Sequence, residues 1–108
     1  MRDGRPWDDT ERGRDAGVAA AYGAELRARR RAAGLTQAAV AERAGVHAVT
    51  VSLVERGRRQ PSLGVAFRLA EAVGADVPGV LGAVYGAVRD QPARGGGAGD
   101  RPAPDRLG

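Results

Sequence analysis

Residues 35–57 read Leu35-Thr-Gln-Ala-Ala-Val-Ala-Glu-Arg-Ala-Gly-Val-His-Ala-Val-Thr-Val-Ser-Leu-Val-Glu-Arg-Gly57. Val40, Ala41 and Ala44 recur at helical spacing before Gly45, and Val51 and Val54 do so after it. β-Branched residues stand at 40, 46, 49, 50, 51 and 54, yet strict two-residue alternation is missing and alanine is abundant, so the stretch reads as helix and not strand. Thr36 is a good N-cap for a helix over 37–44. Gly45 breaks that helix and permits a sharp turn, and Val46 tucks between the two helices. A second helix runs over 48–56, with Gly57 as its stop. Small side chains at Ala41 and Ala44 let the two helices cross closely.

Three further helices are expected around this pair. The first spans 17–33, with Tyr22, Leu26 and Ala33 at three-to-four spacing and Arg27, Arg29 and Arg31 on other faces. Gly34 ends it, and Leu35 turns inward. After an exposed Arg58-Arg59-Gln60 loop, Ser62 caps a helix over 63–73 whose inner face is Leu63, Ala66, Phe67, Ala70 and Val73. Asp76 caps a fifth helix, 76–88, with Pro78 tolerated in its first turn and an apolar stripe of Val77, Val80, Leu81 and Val84. Gly79, Gly82 and Gly86 each cost this helix about 1 kcal/mol relative to alanine, so it is expected to be the least stable element. The expectation is an all-α fold, a compact five-helix bundle over 17–88. A disordered polar segment, 1–16, precedes it and a flexible Gly/Pro-rich tail, 89–108, follows.

Length and charge narrow the function. The chain has 108 residues, enough for one small domain. All 17 of its Lys+Arg residues are arginine. Eight of them fall within 17–60 against only Glu25, Glu42 and Glu55, while the flanking segments are nearly balanced. A GC-rich genome accounts for the missing lysine but not for the clustering. Such a segment attracts a polyanion, and a helix standing out from a small bundle can enter a DNA major groove roughly 12 Å wide. The first-turn N–H groups after Thr36 can face a phosphate. There is no cysteine, which fits a reducing cytoplasm, the expected location. The N-terminus has no apolar run resembling a leader peptide, and no stretch of about 18 apolar residues spans a membrane.

The run closely resembles the lambda-repressor-like, Cro/C1-type helix-turn-helix domain of the XRE family. The matching pieces are Leu-Thr-Gln at 35–37, Ala-Glu-Arg-Ala-Gly-Val at 41–46, Val-Ser-Leu-Val-Glu-Arg-Gly at 51–57, Gln-Pro-Ser-Leu at 60–63 and Arg-Leu-Ala-Glu-Ala-Val-Gly at 68–74. The likeness covers about residues 20–85. It implies a five-helix lambda-repressor-like bundle that binds double-stranded DNA operators, often as a dimer, here through helix 76–88. It also implies that Gln37 touches the phosphate backbone. His47, Ala48, Val49, Ser52 and Leu53 lie on the recognition helix, and Arg30 and Glu55 pair between the first and third helices. An ion pair there is sound chemistry, because a charge near a core needs an opposite partner.

Other assignments rest on position alone. Arg58 and Arg59 follow the recognition helix as phosphate clamps, against the blander reading of a solvated loop. Thr50 is a candidate for the DNA backbone. His47 can cap its helix, read a guanine, touch a phosphate or stay exposed. Ala48, Val49 and Leu53 carry no hydrogen-bonding side-chain atoms, although Ala and Val can contact a thymine methyl. With few polar readers, phosphate contacts and DNA shape are expected to contribute much of the binding. A protein-interaction module or antitoxin-like adaptor on the same fold is the alternative.

No enzymatic chemistry is expected. One histidine without cysteine does not make an ordinary zinc site, and no phosphate-binding glycine loop ends in a lysine. Ser52 and His47 are five apart on a helix and face different ways. No metal or cofactor is expected.

Overall fold

Helix ends dictate the path of this chain. Thr36, Ser62 and Asp76 each accept the N–H three residues ahead, from Ala39, Val65 and Gly79, at 3.0, 3.2 and 3.0 Å. Each holds an extended backbone while the next residue enters the helix. The structure, a computed structural model, describes the backbone of residues 6–90 and the side chains of residue 13 and residues 15–90. Its elements are α1 (Pro6–Ala32), α2 (Gln37–Ala44), α3 (Ala48–Glu55), α4 (Leu63–Ala72) and α5 (Val77–Arg89). The result is the expected all-α five-helix bundle.

α1 packs on α3 and α5, α2 packs on α3 and α4, and α4 touches α5. The centre holds Leu26, Val40, Val51, Val54, Leu69 and Val80, all essentially removed from water. Tyr22 joins them from α1, and its hydroxyl donates to the Ala66 carbonyl of α4 at 2.6 Å. Burial pushes this phenol up to about 12.

Two arginines tie α2 to α4 reciprocally. Arg43 of α2 donates from Nη1 to the Ala72 carbonyl that ends α4, at 3.2 Å. Arg68 of α4 donates from Nε to the Ala44 carbonyl that ends α2, at 3.1 Å. The last carbonyls of a helix have no internal partner and carry its negative dipole end, so a guanidinium serves both needs.

Boundaries and inner faces differ from expectation at several points: α3 and α4 each end one residue early, at Glu55 and Ala72, and α5 runs from Val77 to Arg89 instead of 76–88. α1 starts at Pro6 and not at 17. Proline suits a first helical position, where its missing N–H is no loss. Gly13, Asp15 and Ala16 are exposed, and the first buried side chain is Ala19. Amphipathic spacing reports contact with a core, so it is silent about turns that precede the contact. α1 also ends one residue early, and Ala33 is an exposed turn residue instead of a core one. In α4 the buried stripe is Ala66, Leu69, Ala70 and Val73, leaving Leu63 64% and Phe67 37% exposed. Two stripes of period i, i+3, i+4 overlap in this helix, and the one containing Leu69 is buried. α5 buries Val80 and Val84, and Leu81 lies at its edge. The expected tail residues 1–5 and 91–108 lie outside the described residues.

Candidate nucleic-acid interface

The turn between α2 and α3 sets the site. Gly45 has φ 72°, and the N–H groups of Gly45 and Val46 return to the Glu42 and Ala41 carbonyls. This double closure ends α2 with a left-handed residue followed by an apolar one that packs back. α1 and α4 close in the same way, with half-buried Leu35 and Ala75 in the apolar position. α3 closes alike at Gly57 (φ 71°), but there the returning residue is Arg58, bonded through its N–H to the Leu53 carbonyl at 2.9 Å. Arg58 is exposed. Of the four described helix ends that close on a left-handed glycine, the end of α3 is the one followed by an arginine.

α3 is divided lengthwise. Val51, Val54 and Glu55 are buried, while His47, Ala48 and Val49 are exposed and Thr50, Ser52 and Leu53 are half-buried. Positions 48, 49, 52 and 53 share the side away from the core, as a 3.6-residue period requires. His47 is the N-cap residue, but its side chain makes no capping hydrogen bond. Of the roles open to it, capping is therefore not realised.

A four-part polar network fixes how α3 sits. Arg30 of α1 donates to both oxygens of Glu55, from Nε to Oε2 at 2.6 Å and from Nη2 to Oε1 at 3.0 Å. Its third nitrogen, Nη1, donates to the Leu35 carbonyl at 2.9 Å. Gln37, at the start of α2, donates from Nε2 to Glu55 Oε1 at 3.0 Å. One carboxylate at the end of α3 therefore holds α1 and α2, and Arg30 ties in the connection between them. Burial pushes the Glu55 carboxyl up, but hydrogen bonds from Arg30 and Gln37 and the charges of Arg30 and Arg27 outweigh it, leaving the group below the usual carboxylate range. The hydrogen bond to Glu55 raises Arg30 in turn. The Gln37 contact was not legible in the sequence, because its partner is 18 residues away and no local spacing points to it.

Close backbone approach makes the network possible. A Cβ on Gly23 of α1 would lie 2.2 Å from the Val54 carbonyl oxygen and 2.8 Å from that of Glu55. Sequence reasoning passed over Gly23; a glycine in the middle of a long helix was its available signal.

The arginines of 17–60 divide into two groups. Arg30 and Arg43 are occupied as described, and Arg29 Nε pairs with Glu25 at 2.6 Å. Arg27, Arg31, Arg56, Arg58 and Arg59 are exposed, with Arg56 Nε donating to the Ser52 carbonyl of α3 at 3.4 Å. Arg56 and the Arg58-Arg59 pair come directly after α3 in the chain. Among the described residues no group of three or more His, Asp or Glu gathers to hold a metal. No described helix is long and apolar enough to cross a membrane.

This geometry agrees with comparisons to known proteins. A model of the helix-turn-helix domain matches residues 21–81, from within α1 into α5. An uncharacterised HTH-type transcriptional regulator of Methanothermobacter thermautotrophicus is 47% identical over 49 residues, covering 45% of this chain and 71% of that protein. The crystal structure of ClgR, the clp gene regulator of Corynebacterium glutamicum, superposes with a TM-score of 0.62 at 33% identity, over 67% of this chain and 77% of that one. The restriction-modification controller protein C.AhdI of Aeromonas hydrophila gives a TM-score of 0.55 at 34% identity, over 57% of this chain and 94% of that one. With α3 tied to the bundle by Glu55 and followed by exposed arginines, the chain belongs to the helix-turn-helix family and is a DNA-binding transcriptional regulator.

Proposed function

We propose that the protein is a dimeric, Cro/C1-type repressor of the XRE family that lays α3 in the major groove of duplex DNA. The observation that carries this reading is the division of α3. His47, Ala48 and Val49 face water while Val51, Val54 and Glu55 hold the helix to the bundle. Ser52 and Leu53, half-buried one turn on, continue the groove-facing side. Arg58, Arg59 and Thr50 contact the sugar-phosphate backbone. Gln37 serves chiefly to position Glu55, and its remaining amide hydrogen is left to donate to a phosphate.

Dimerisation uses α5. Tyr85, 68% exposed, and Leu81 are four residues apart on that helix, outside the buried Val80–Val84 stripe. Two copies joined there present two α3 helices to half-sites about 34 Å apart. The bound pair then blocks a promoter by occupying it. ClgR is a clp gene regulator and C.AhdI a restriction-modification controller protein, which is in keeping with such a role. The expected cytoplasmic location follows from this reading.

The apolar outward side of α3 favours a second reading, an antitoxin-like adaptor that binds protein. Fluorescence anisotropy with random-sequence duplex at two salt concentrations separates them. A repressor binds with an affinity that falls steeply as salt rises, and an adaptor binds weakly or without salt dependence. Enrichment of duplexes from a random pool, followed by sedimentation of the complex, then tests specificity and the two-to-one stoichiometry.

A further inference from the structure

We propose that the outward side of α3 recognises the C5-methyl group of pyrimidines, thymine first, and that Val49 sets this preference. The inference rests on the DNA-binding reading and names what the helix reads. Val49 is 61% exposed, and Ala48 beside it is exposed as well. Leu53, one turn on, is half-buried on the same side. None of the three has a side-chain atom that can exchange a hydrogen bond with a base edge. The polar side chains there are His47 and Ser52.

The major groove offers one feature that such side chains can use. Thymine presents a methyl group there, whereas adenine, guanine and cytosine present only hydrogen-bonding atoms. An apolar side chain set against guanine or cytosine strips water from those polar atoms and returns nothing. Set against thymine, it removes two apolar surfaces from water together. Charge identifies the occupant. Arg56 stands seven residues, about two helical turns, after Val49, and Arg58 and Arg59 follow it, all exposed, so a polyanion laid along the patch can also reach guanidinium groups. Duplex DNA supplies both a methyl and the phosphates. A second copy of this chain would bring the same arginines against these.

The experiment uses the full chain and duplexes enriched from a random pool. Each thymine of an enriched site is replaced in turn by deoxyuridine, which deletes the methyl and keeps every hydrogen-bonding atom. At thymines facing α3, affinity is expected to fall about fourfold per methyl. At the same positions, 5-methylcytosine is expected to bind about fourfold more tightly than cytosine, since it restores the methyl on a different base. Val49→Ala, an exposed change, is expected to bring the thymine-to-uracil ratio toward one. Equal affinity for thymine and uracil at every position overturns the methyl reading and leaves DNA binding intact. Equal losses on both duplexes in Val49→Ala overturn the assignment to Val49. A pool from which nothing is enriched overturns the DNA-binding reading and this inference together.

Discussion

Gly23 of α1 faces the backbone of Val54 so closely that a side chain at 23 would meet the Val54 carbonyl oxygen at 2.2 Å. The obstacle is main chain at the end of α3, so it cannot swing aside like a flexible side chain. Gly57 repeats the close approach three residues later, with its virtual Cβ 3.1 Å from the Ala20 Cα. α1 and α3 therefore cross almost backbone to backbone. Gly23→Ala gains helix propensity but must push the two helices apart, and the second effect dominates. We expect a loss toward the upper end of the about 1–3 kcal/mol usual for overpacking a filled contact. Thermal unfolding followed by circular dichroism checks it, and an unchanged midpoint would refute the crossing.

The Arg30–Glu55 pair sits at that crossing. Its side chains are 13% and 2% exposed, so removing one partner strands the other away from water. Glu55→Gln and Arg30→Met are each expected to cost about 3 kcal/mol, while the double variant Arg30→Met/Glu55→Gln loses less than the sum. The carboxyl is held below its unfolded value, so its contribution is present above about pH 4.3 and disappears as pH falls through the folded value. Chemical denaturation between neutral and acid pH is expected to show this decline in the natural protein and a shallower one in Glu55→Gln.

These two contacts mark the limit of sequence reading. Caps and turns were legible because they are local: Thr36, Ser62 and Asp76 each lie three residues before the N–H they bind. The pairing of Arg30 with Glu55 came through family resemblance. Gln37 joining that pair, and the exchange between Arg43 and Arg68 at the ends of α2 and α4, depend on how helices cross. Their partners lie 18 to 29 residues away with no spacing rule to announce them. The α4 register was ambiguous for a related reason. Leu63, Phe67 and Leu69 cannot share one narrow face, and only packing decides which is exposed. The same blindness applies to charge, because a count of arginines does not distinguish Arg43, which caps a helix, from Arg59, which faces water.

Tyr22 gives a prediction at the alkaline end. Its phenol is raised to about 12 by burial, so folding favours the protonated form. The associated stability is complete below about pH 10, the unfolded value, and is lost as pH climbs through the folded one. The sequence has no lysine or cysteine to titrate in that window. In a Tyr85→Phe background, phenolate absorbance should report Tyr22 alone, appearing well above the pH of a free tyrosine. Tyr22→Phe removes the bond to the Ala66 carbonyl and should cost about 1 kcal/mol at neutral pH.

α5 offers the opposite sign. Gly82 is exposed, lies within the helix, and a Cβ there would meet nothing within 4 Å. Gly82→Ala is therefore expected to stabilise the fold by about 0.5–1 kcal/mol, through helix propensity alone. Gly79→Ala should gain less, since its Cβ would lie 2.9 Å from the Asp76 Oδ2 that caps the helix. Denaturant midpoints of the two variants check the order. A gain for Gly79→Ala equal to or above that for Gly82→Ala would contradict the cap geometry.

The arginines supply the test that links structure to DNA. Arg58 and Arg59 are exposed after α3, whereas Arg43 is tied to the Ala72 carbonyl of α4. If the first pair meets phosphates, each replaced by alanine should weaken binding to every duplex alike and lower the slope of log affinity against log salt by about 0.9. Stability should hardly change, since neither side chain is buried. Arg43→Ala should do the reverse, lowering the unfolding midpoint while leaving the salt slope of the folded protein intact. Fluorescence anisotropy across a salt series, with unfolding measured on the same samples, separates the two classes. Unchanged slopes for both Arg58→Ala and Arg59→Ala would mean that the guanidinium groups beside α3 point past the DNA, and α3 would then have to approach its groove from another side.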